Sequence, residues 1–288
     1  MSDPVVIVSA ARTPLGGFQG DLASLTTPQL GAIAIRSAVE RARLKPEQVE
    51  EVIMGCVLPA GLGQAPARQA ALGAGLPLSA GCTTINKVCG SGMKATMLAH
   101  DLLLAGSNEV MVAGGMESMS NAPYLLPKAR AGYRLGHGQM FDHMFLDGLE
   151  DSYSKENKGR LMGTFAEDCA GTFNFSRSAQ DEFAIASTTR AQAAINNGDF
   201  TWEVTPVTVS GRKGDVVVDK DEQPLKAQID KIPGLKPAFK KDGTVTPANS
   251  SSISDGAAAL VLMRKSTADR LGLKPVATIV GHATHAQE

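Results

Sequence analysis

Cysteine is scarce in this sequence. Cys56, Cys82, Cys89 and Cys169 are the only four in 288 residues, and no two stand in C-x-x-C spacing. The five histidines, at positions 100, 137, 143, 282 and 285, form no zinc-ligand pattern either. A disulfide scaffold and a structural zinc module are both excluded as organising principles. The nearest approach to a ligand pair is His282-x-x-His285, too little to predict a metal. Aromatics make up 5% of the chain, which argues against recognition by stacking on bases. An excess of one charge is also missing: 28 basic against 29 acidic residues leave a formal −1. No general partnership with nucleic acid or an anionic membrane follows from that balance. No apolar run approaches the ~18 residues of a membrane span. The start, Met1-Ser2-Asp3-Pro4, lacks the basic lead and long apolar stretch of a signal peptide. The expectation is a cytoplasmic protein with reduced thiols, bound neither to membrane nor to nucleic acid.

What is present is the composition of a packed globular chain, 43% hydrophobic with 30 glycines. Residues 5–10 are continuously apolar, as in a strand covered on both faces. Residues 28–44 carry helical spacing (Leu30, Ile33, Ala34, Val39, Leu44), with Pro28 suited to a first turn. Strand-like segments follow at 49–57, 83–88 and 109–113, alternating with helical ones at 64–72 and 91–105. That alternation predicts α/β architecture with a largely parallel sheet. After Ser120 the pattern breaks. Residues 121–165 read as irregular, 178–197 as a helix capped by Ser176 or Ser178 and stopped by Gly198, and 203–247 as a solvated, charged loop surface. Apolar periodicity resumes at 257–263, so 121–250 reads as an insertion between two strands of one unit. Pro275–Gly281 echoes Pro4–Ala10, which predicts the first strand of a second unit.

The segment richest in chemistry is Thr84-Ile85-Asn86-Lys87-Val88-Cys89-Gly90-Ser91-Gly92-Met93-Lys94. It places Cys89 at a strand–turn–helix junction. There, helix N–H groups and the helix dipole favour a thiolate and can receive the oxyanion formed when sulfur attacks a carbonyl. Gly90 and Gly92 read as the residues that permit the sharp turn and a close substrate approach. On spacing alone a buried structural cysteine remains equally open. For Cys56, Cys82 and Cys169 the structural reading is preferred. A different class also fits: Gly90-Ser91-Gly92-Met93-Lys94-Ala95 matches G-x-G-x-x-G/A, with Glu109 about twenty residues on, as in a dinucleotide-binding α/β protein.

Five blocks in register decide the direction of the reading. Ile7–Pro14, Asn86–Gly92, Gly114-Gly115-Met116-Glu117-Ser118-Met119-Ser120, Met162–Glu167 and Asn249–Gly256 together resemble the thiolase family, most of all short-chain thiolases of the acetyl-CoA acetyltransferase kind. The resemblance implies a layered βαβαβαββ unit with a mixed sheet over residues 1–120. It implies a coenzyme A-covering loop domain over 121–250, a return strand over 251–270 and the start of a second α/β domain over 271–288. It implies that Cys89 takes an acetyl group from acetyl-CoA, and that a second acetyl-CoA attacks it to give acetoacetyl-CoA and CoA, or the reverse thiolysis. Coenzyme A thioesters enter as substrates, with no permanently bound cofactor.

By the same resemblance Leu149 lies near the adenine end, Met162 beside the acyl pocket, Ser251 against the pantetheine arm and Phe239 near it. Leu161 stands where many relatives have histidine, and Pro224 where they have a basic residue, with Lys226 the nearest substitute. Residues 151–159 resemble a small insertion. The family's C-x-G, G-H-P and N-E-A-F motifs are placed outside residues 1–288, so this chain is expected to be weak or inactive in condensation. Residues 120–145, with Tyr124, Leu125, Leu126, Tyr133, Met140 and Phe141, form an expected contact arm of a homodimer or homotetramer.

Overall fold

The computed structural model describes residues 3–212 and 214–286. Strand β1 (Val5–Arg12) and the short β2 (Gly16–Gly17) lead to helix α1 (Thr27–Arg41), then β3 (Glu51–Gly55), α2 (Pro66–Gly73), β4 (Gly81–Ile85), α3 (Ser91–Leu104) and β5 (Val110–Ser118). The sheet runs β11-β1-β10-β5-β3-β4, where β10 (Ser254–Arg264) is followed by α7 (Lys265–Arg270) and β11 (Ala277–Thr278). β3 is parallel to β4 and β5, but β10 is antiparallel to both β1 and β5. The largely parallel expectation is therefore corrected to a mixed sheet. β1, β3, β4 and β5 do run the same way, and the return strand slots between two of them in the opposite sense.

Side-chain alternation divides the core between the two faces of this sheet. Val52, Met54, Val110, Val112, Val261 and Met263 point toward α1 and α2, where Leu30, Ile35, Ala38 and Ala70 meet them. Ile53, Met111, Ala113 and Leu262 point the other way, onto Ala95, Ala99 and Leu103 of α3. The apolar runs read from the sequence are continuous because both faces are covered. Each fully buried Leu or Ile here adds about 1.5–3 kcal/mol.

The insertion comprises β6 (Tyr124–Leu125), β7 (Phe141–Asp142), α4 (Met162–Thr172), α5 (Arg177–Asn197), the hairpin β8 (Val207–Gly211) and β9 (Gly214–Val218), and α6 (Glu222–Lys226). Ser176 caps α5 by accepting the Ala179 N–H at 3.1 Å, and Gly198 ends it in the left-handed region at φ +80°. Helix α4 has no counterpart in the sequence reading, where residues 121–165 ran on as irregular.

The charged stretch 203–247 is also more than solvated surface. Val207 and Val218 of its hairpin are buried in the α1 side of the core. Asp221 and Glu222 are buried as well, and they bolt the insertion to the first unit. Arg12 donates to Asp221 through both terminal nitrogens at 2.7 and 3.0 Å and to Glu203 through Nε at 2.6 Å. Glu222 accepts the backbone N–H groups of Gly17 at 2.8 Å and Asp21 at 2.9 Å. Interleaved lysines and acids look the same in sequence whether solvated or paired, and the partners here lie about two hundred positions away. The predicted strand at 275–281 shortens to β11, which adds to the edge of the first sheet through Val6–Thr278 and Ile7–Ala277 pairing.

Candidate active site

Because β1, β3, β4 and β5 run together, their C-terminal ends gather the loops after Arg12, Gly55, Ile85 and Ser118 on one rim. Residues 86–90 turn the chain from β4 into α3 there. Cys89 sits in that turn, exposed, at the N-terminal end of α3. The turn is held by a closed set of bonds. Asn86 accepts the Val88 N–H at 2.8 Å and donates to the Val57 carbonyl at 3.3 Å. The Ser91 hydroxyl accepts the Lys87 N–H at 2.8 Å and donates to the Val88 carbonyl at 2.6 Å. Gly90 N–H reaches the Lys87 carbonyl at 3.1 Å.

The conformational strain falls on a residue the sequence did not single out. Val88 has φ +48°, in the left-handed region, where a β-branched side chain costs about 1–3 kcal/mol. Gly90 has an ordinary φ of −88°, and a Cβ on Gly92 would meet the Gly115 backbone only at an ordinary 3.6 Å. The expectation that these two glycines free the turn is corrected. The glycine that matters is Gly55 at the end of β3, where a Cβ would stand 2.6 Å from the Ser91 carbonyl carbon and 2.7 Å from the Gly92 nitrogen. Its bareness lets the start of α3 lie directly on the sheet, which fixes Cys89 against a rigid floor.

Beneath this rim lies a polar cluster that the sequence left unread. Glu117, at the end of β5, accepts the N–H of Val57 at 2.7 Å and of Leu58 at 3.3 Å, and the Cys56 thiol lies 3.6 Å away. Burial raises the Glu117 carboxyl above its ordinary value although these donors oppose it. Buried His143 receives the Ala60 N–H on Nε2 at 3.3 Å and holds Asp147 from Nδ1 at 2.6 Å. The cluster fixes residues 56–60, whose Val57 carbonyl holds Asn86 of the Cys89 turn. The position of Glu117 in a glycine-rich strand end was its only sequence signal.

Burial, followed by the charge and hydrogen bond of Glu117, pushes the Cys56 thiol up to about 12. At pH 8 only about 10⁻⁴ of it would be thiolate, the nucleophilic form. We expect iodoacetamide at pH 8 to alkylate exposed Cys89 while leaving Cys56 unmodified in the folded chain. Peptide mapping by mass spectrometry reads both, and equal labelling of Cys56 and Cys89 would contradict this assignment.

The remaining predicted site residues fall into two groups. Gly163 carries no side chain because the Phe239 ring lies over it, which sets Phe239 beside Met162 at the start of α4. A bridge between Glu150 and Leu161 places Leu149 on the adjoining segment, and neighbouring Gly148 packs toward Leu58 and Val57. Leu149, Met162 and Phe239 thus belong to one region. Lys226 belongs to another, a groove of about 660 Å³ lined also by Gln223, Pro224, Lys231, Ser250 and Ser252. Exposed Ser251 lies between the last two. The Lys226 ammonium is engaged by Glu222 and, at 3.3 Å, by Asp21, and these hydrogen bonds raise its pKa.

Two further groups lie elsewhere. Cys169-Ala170-Gly171 has C-x-G spacing but lies within helix α4. His282 meets not His285 but His100 and Asp101 of α3, a grouping that linear spacing across about 180 positions conceals.

The thiolase N-terminal domain family matches residues 5–266. An acetyl-CoA acetyltransferase of Cupriavidus necator is 52% identical over 281 residues, covering 97% of this chain and 70% of that protein. Acetyl-CoA acetyltransferase 2 of Arabidopsis thaliana is 53% identical over 287 residues, 99% of this chain and 70% of that one. A solved acetyl-CoA acetyltransferase from Syntrophomonas wolfei superposes with a TM-score of 0.92 at 40% identity, over 98% of this chain and 70% of its own. The chain therefore spans about 70% of the length of these relatives. None of them lends support to Gly90-Ser91-Gly92 as a dinucleotide phosphate loop. A mixed sheet with a clamped cysteine on its rim, matched along nearly its whole length, has one reading: the chain belongs to the thiolase family.

Proposed function

We propose that this chain carries the acyl-accepting half of an acetyl-CoA acetyltransferase. The Cys89 sulfur attacks the acetyl-CoA carbonyl, its thioester bond to CoA breaks, and CoA leaves as thiolate while acetyl stays on Cys89. A thioester replaces a thioester, so the exchange is close to balanced in energy. The observation that carries the reading is the exposed Cys89 held at the N-terminus of α3 by Asn86, Ser91 and the bare Gly55. Donors at a helix start suit the oxyanion of this attack. Leu149, Met162, Phe239, Lys226 and Ser251 are the proposed coenzyme A contacts. Lys226 must exchange Glu222 and Asp21 for phosphate to serve there.

In the complete reaction a second acetyl-CoA condenses with the acetyl-enzyme to give acetoacetyl-CoA and CoA, or thiolysis runs in reverse. Mixing this chain with acetyl-CoA should release one CoA per chain and leave one acetyl group on the peptide containing Cys89. Absence of that acetyl group would overturn the assignment.

Four free cysteines suit a reducing compartment, and we assign the cytoplasm, to be checked by fractionation. Among the described residues no helix is long and apolar enough to cross a membrane. The short β6–β7 arm exposes Tyr124, Leu126, Met140 and Phe141, and β4 ends the sheet with a free edge. A second copy of this chain is the proposed partner of both surfaces, giving a homodimer or homotetramer. A monomer by light scattering at working concentration would contradict it.

A further inference from the structure

Three potential ligand atoms converge on the outer face of α3, away from the Cys89 turn. His100 Nδ1 lies 3.1 Å from Asp101 Oδ1, His282 Nε2 lies 2.9 Å from the same oxygen, and the two ring nitrogens are 3.2 Å apart. His100 is largely buried, and His282 is about a quarter exposed. The segment bearing His282 is seated there: Ile279 packs on the α3 side of the core, and Thr284 approaches Met97.

Protons alone leave this triangle frustrated. An ionised Asp101 only accepts, so both of its contacts require N–H donors, one on each ring. The 3.2 Å contact between the rings then faces donor to donor. If either ring nitrogen is bare, the rings can pair, but that nitrogen meets the carboxylate with two lone pairs. A divalent cation satisfies all three atoms together, since each presents a lone pair to it. The spacing also suits one. Ligands about 2.05 Å from a tetrahedral zinc stand ~3.3 Å apart, and in octahedral geometry ~2.9 Å. Two imidazoles and a carboxylate are a donor set for zinc, cobalt or nickel.

We propose that His100, Asp101 and His282 form a binding site for a divalent transition-metal ion of the zinc class. The exposed side of Asp101 leaves room for water to complete the coordination. The ion would staple the segment after β11 to α3, a structural role separate from acyl transfer.

Chelator-stripped, desalted chain titrated with cobalt(II) chloride tests this. The expected result is one cobalt per chain, with ligand-field bands of nitrogen–oxygen coordination and no thiolate charge-transfer band. His282→Ala and Asp101→Asn should each weaken binding by about 100-fold or more, while His285→Ala leaves it unchanged. Zinc chloride should raise Tm in the parent and not in His282→Ala. Circular dichroism reports whether each variant is folded, and acetylation of Cys89 should persist in all three. Cobalt bound through thiolate, binding unaltered by His282→Ala and Asp101→Asn, or no cobalt bound at all would each overturn the site.

Discussion

Replacing Cys89 with alanine should abolish acetyl transfer, with a loss of about 10⁴-fold or more in CoA release from acetyl-CoA. The nearby Cys56 cannot substitute. Cys56 is buried and pushed up to about 12. Cys89→Ser keeps the shape of the turn but presents an alcohol, a far poorer nucleophile at neutral pH. It should bind acetyl-CoA as the parent does while forming no detectable acetyl-enzyme. The split between intact binding and absent chemistry separates a nucleophile from a residue that merely packs. Equal acetylation of the parent and Cys89→Ala chains would refute the role, and intact mass measurement after mixing decides it.

Removing the carboxylate of Asp221 should destabilise the chain by about 1.5–3 kcal/mol, the cost of a lost charged hydrogen bond, while Glu203 still pairs Arg12. Arg12 is only 17% exposed, and it would lose a two-pronged contact that also organises the Leu15 N–H. Asp221→Ala should therefore lower the urea midpoint and expose the 203–226 segment to limited proteolysis. Adding Arg12→Met should recover part of the loss, since the guanidinium nitrogens left without the Asp221 carboxylate go with it. A midpoint shifted equally by the single and double variants would show that the ion pair is not what joins the insertion to the sheet.

Acid should loosen the same junction. Burial alone would raise the Glu222 carboxyl, but hydrogen bonds from Lys226 and from the Asp21 and Gly17 amides outweigh it, and its pKa falls below 4.5. A group depressed in the folded state adds stability that is complete above its unfolded value. That stability is lost as pH falls through the folded one.

The parts of this molecule legible in the sequence are those governed by local rules. The runs at 5–10 and 257–263 announce strands covered on both faces, and Ser176 and Gly198 mark the ends of α5 because caps act within four residues. The strand–turn–helix setting of Cys89 was legible because such a junction leaves a short-range trace. The strain on Val88 left none: a valine in the left-handed region is held there by Asn86 and Ser91, and no propensity anticipates it. The Gly55 requirement comes from a helix start that packs on it from thirty-six positions away. Arg12 with Asp221, Glu117 with Val57 and His100 with His282 are likewise products of tertiary folding. Charged and polar residues in loops carry no mark of which distant group they will meet.

The antiparallel β10 has a consequence for how this protein is made. Val5 pairs with Arg264 and Arg12 with Ala258, so the strand that pairs with the first one is synthesised some 250 positions after it. Until then β1 and β5 have no hydrogen-bonded neighbour between them, and the apolar faces of Val6, Val112 and Met111 stay incompletely covered. Pairing across some 250 positions carries the loop-closure penalty of a high-contact-order fold and slows closure of the sheet. A nascent chain on the ribosome therefore holds a gap at the centre of its sheet, and chaperone demand should peak just before residue 264 clears the exit tunnel.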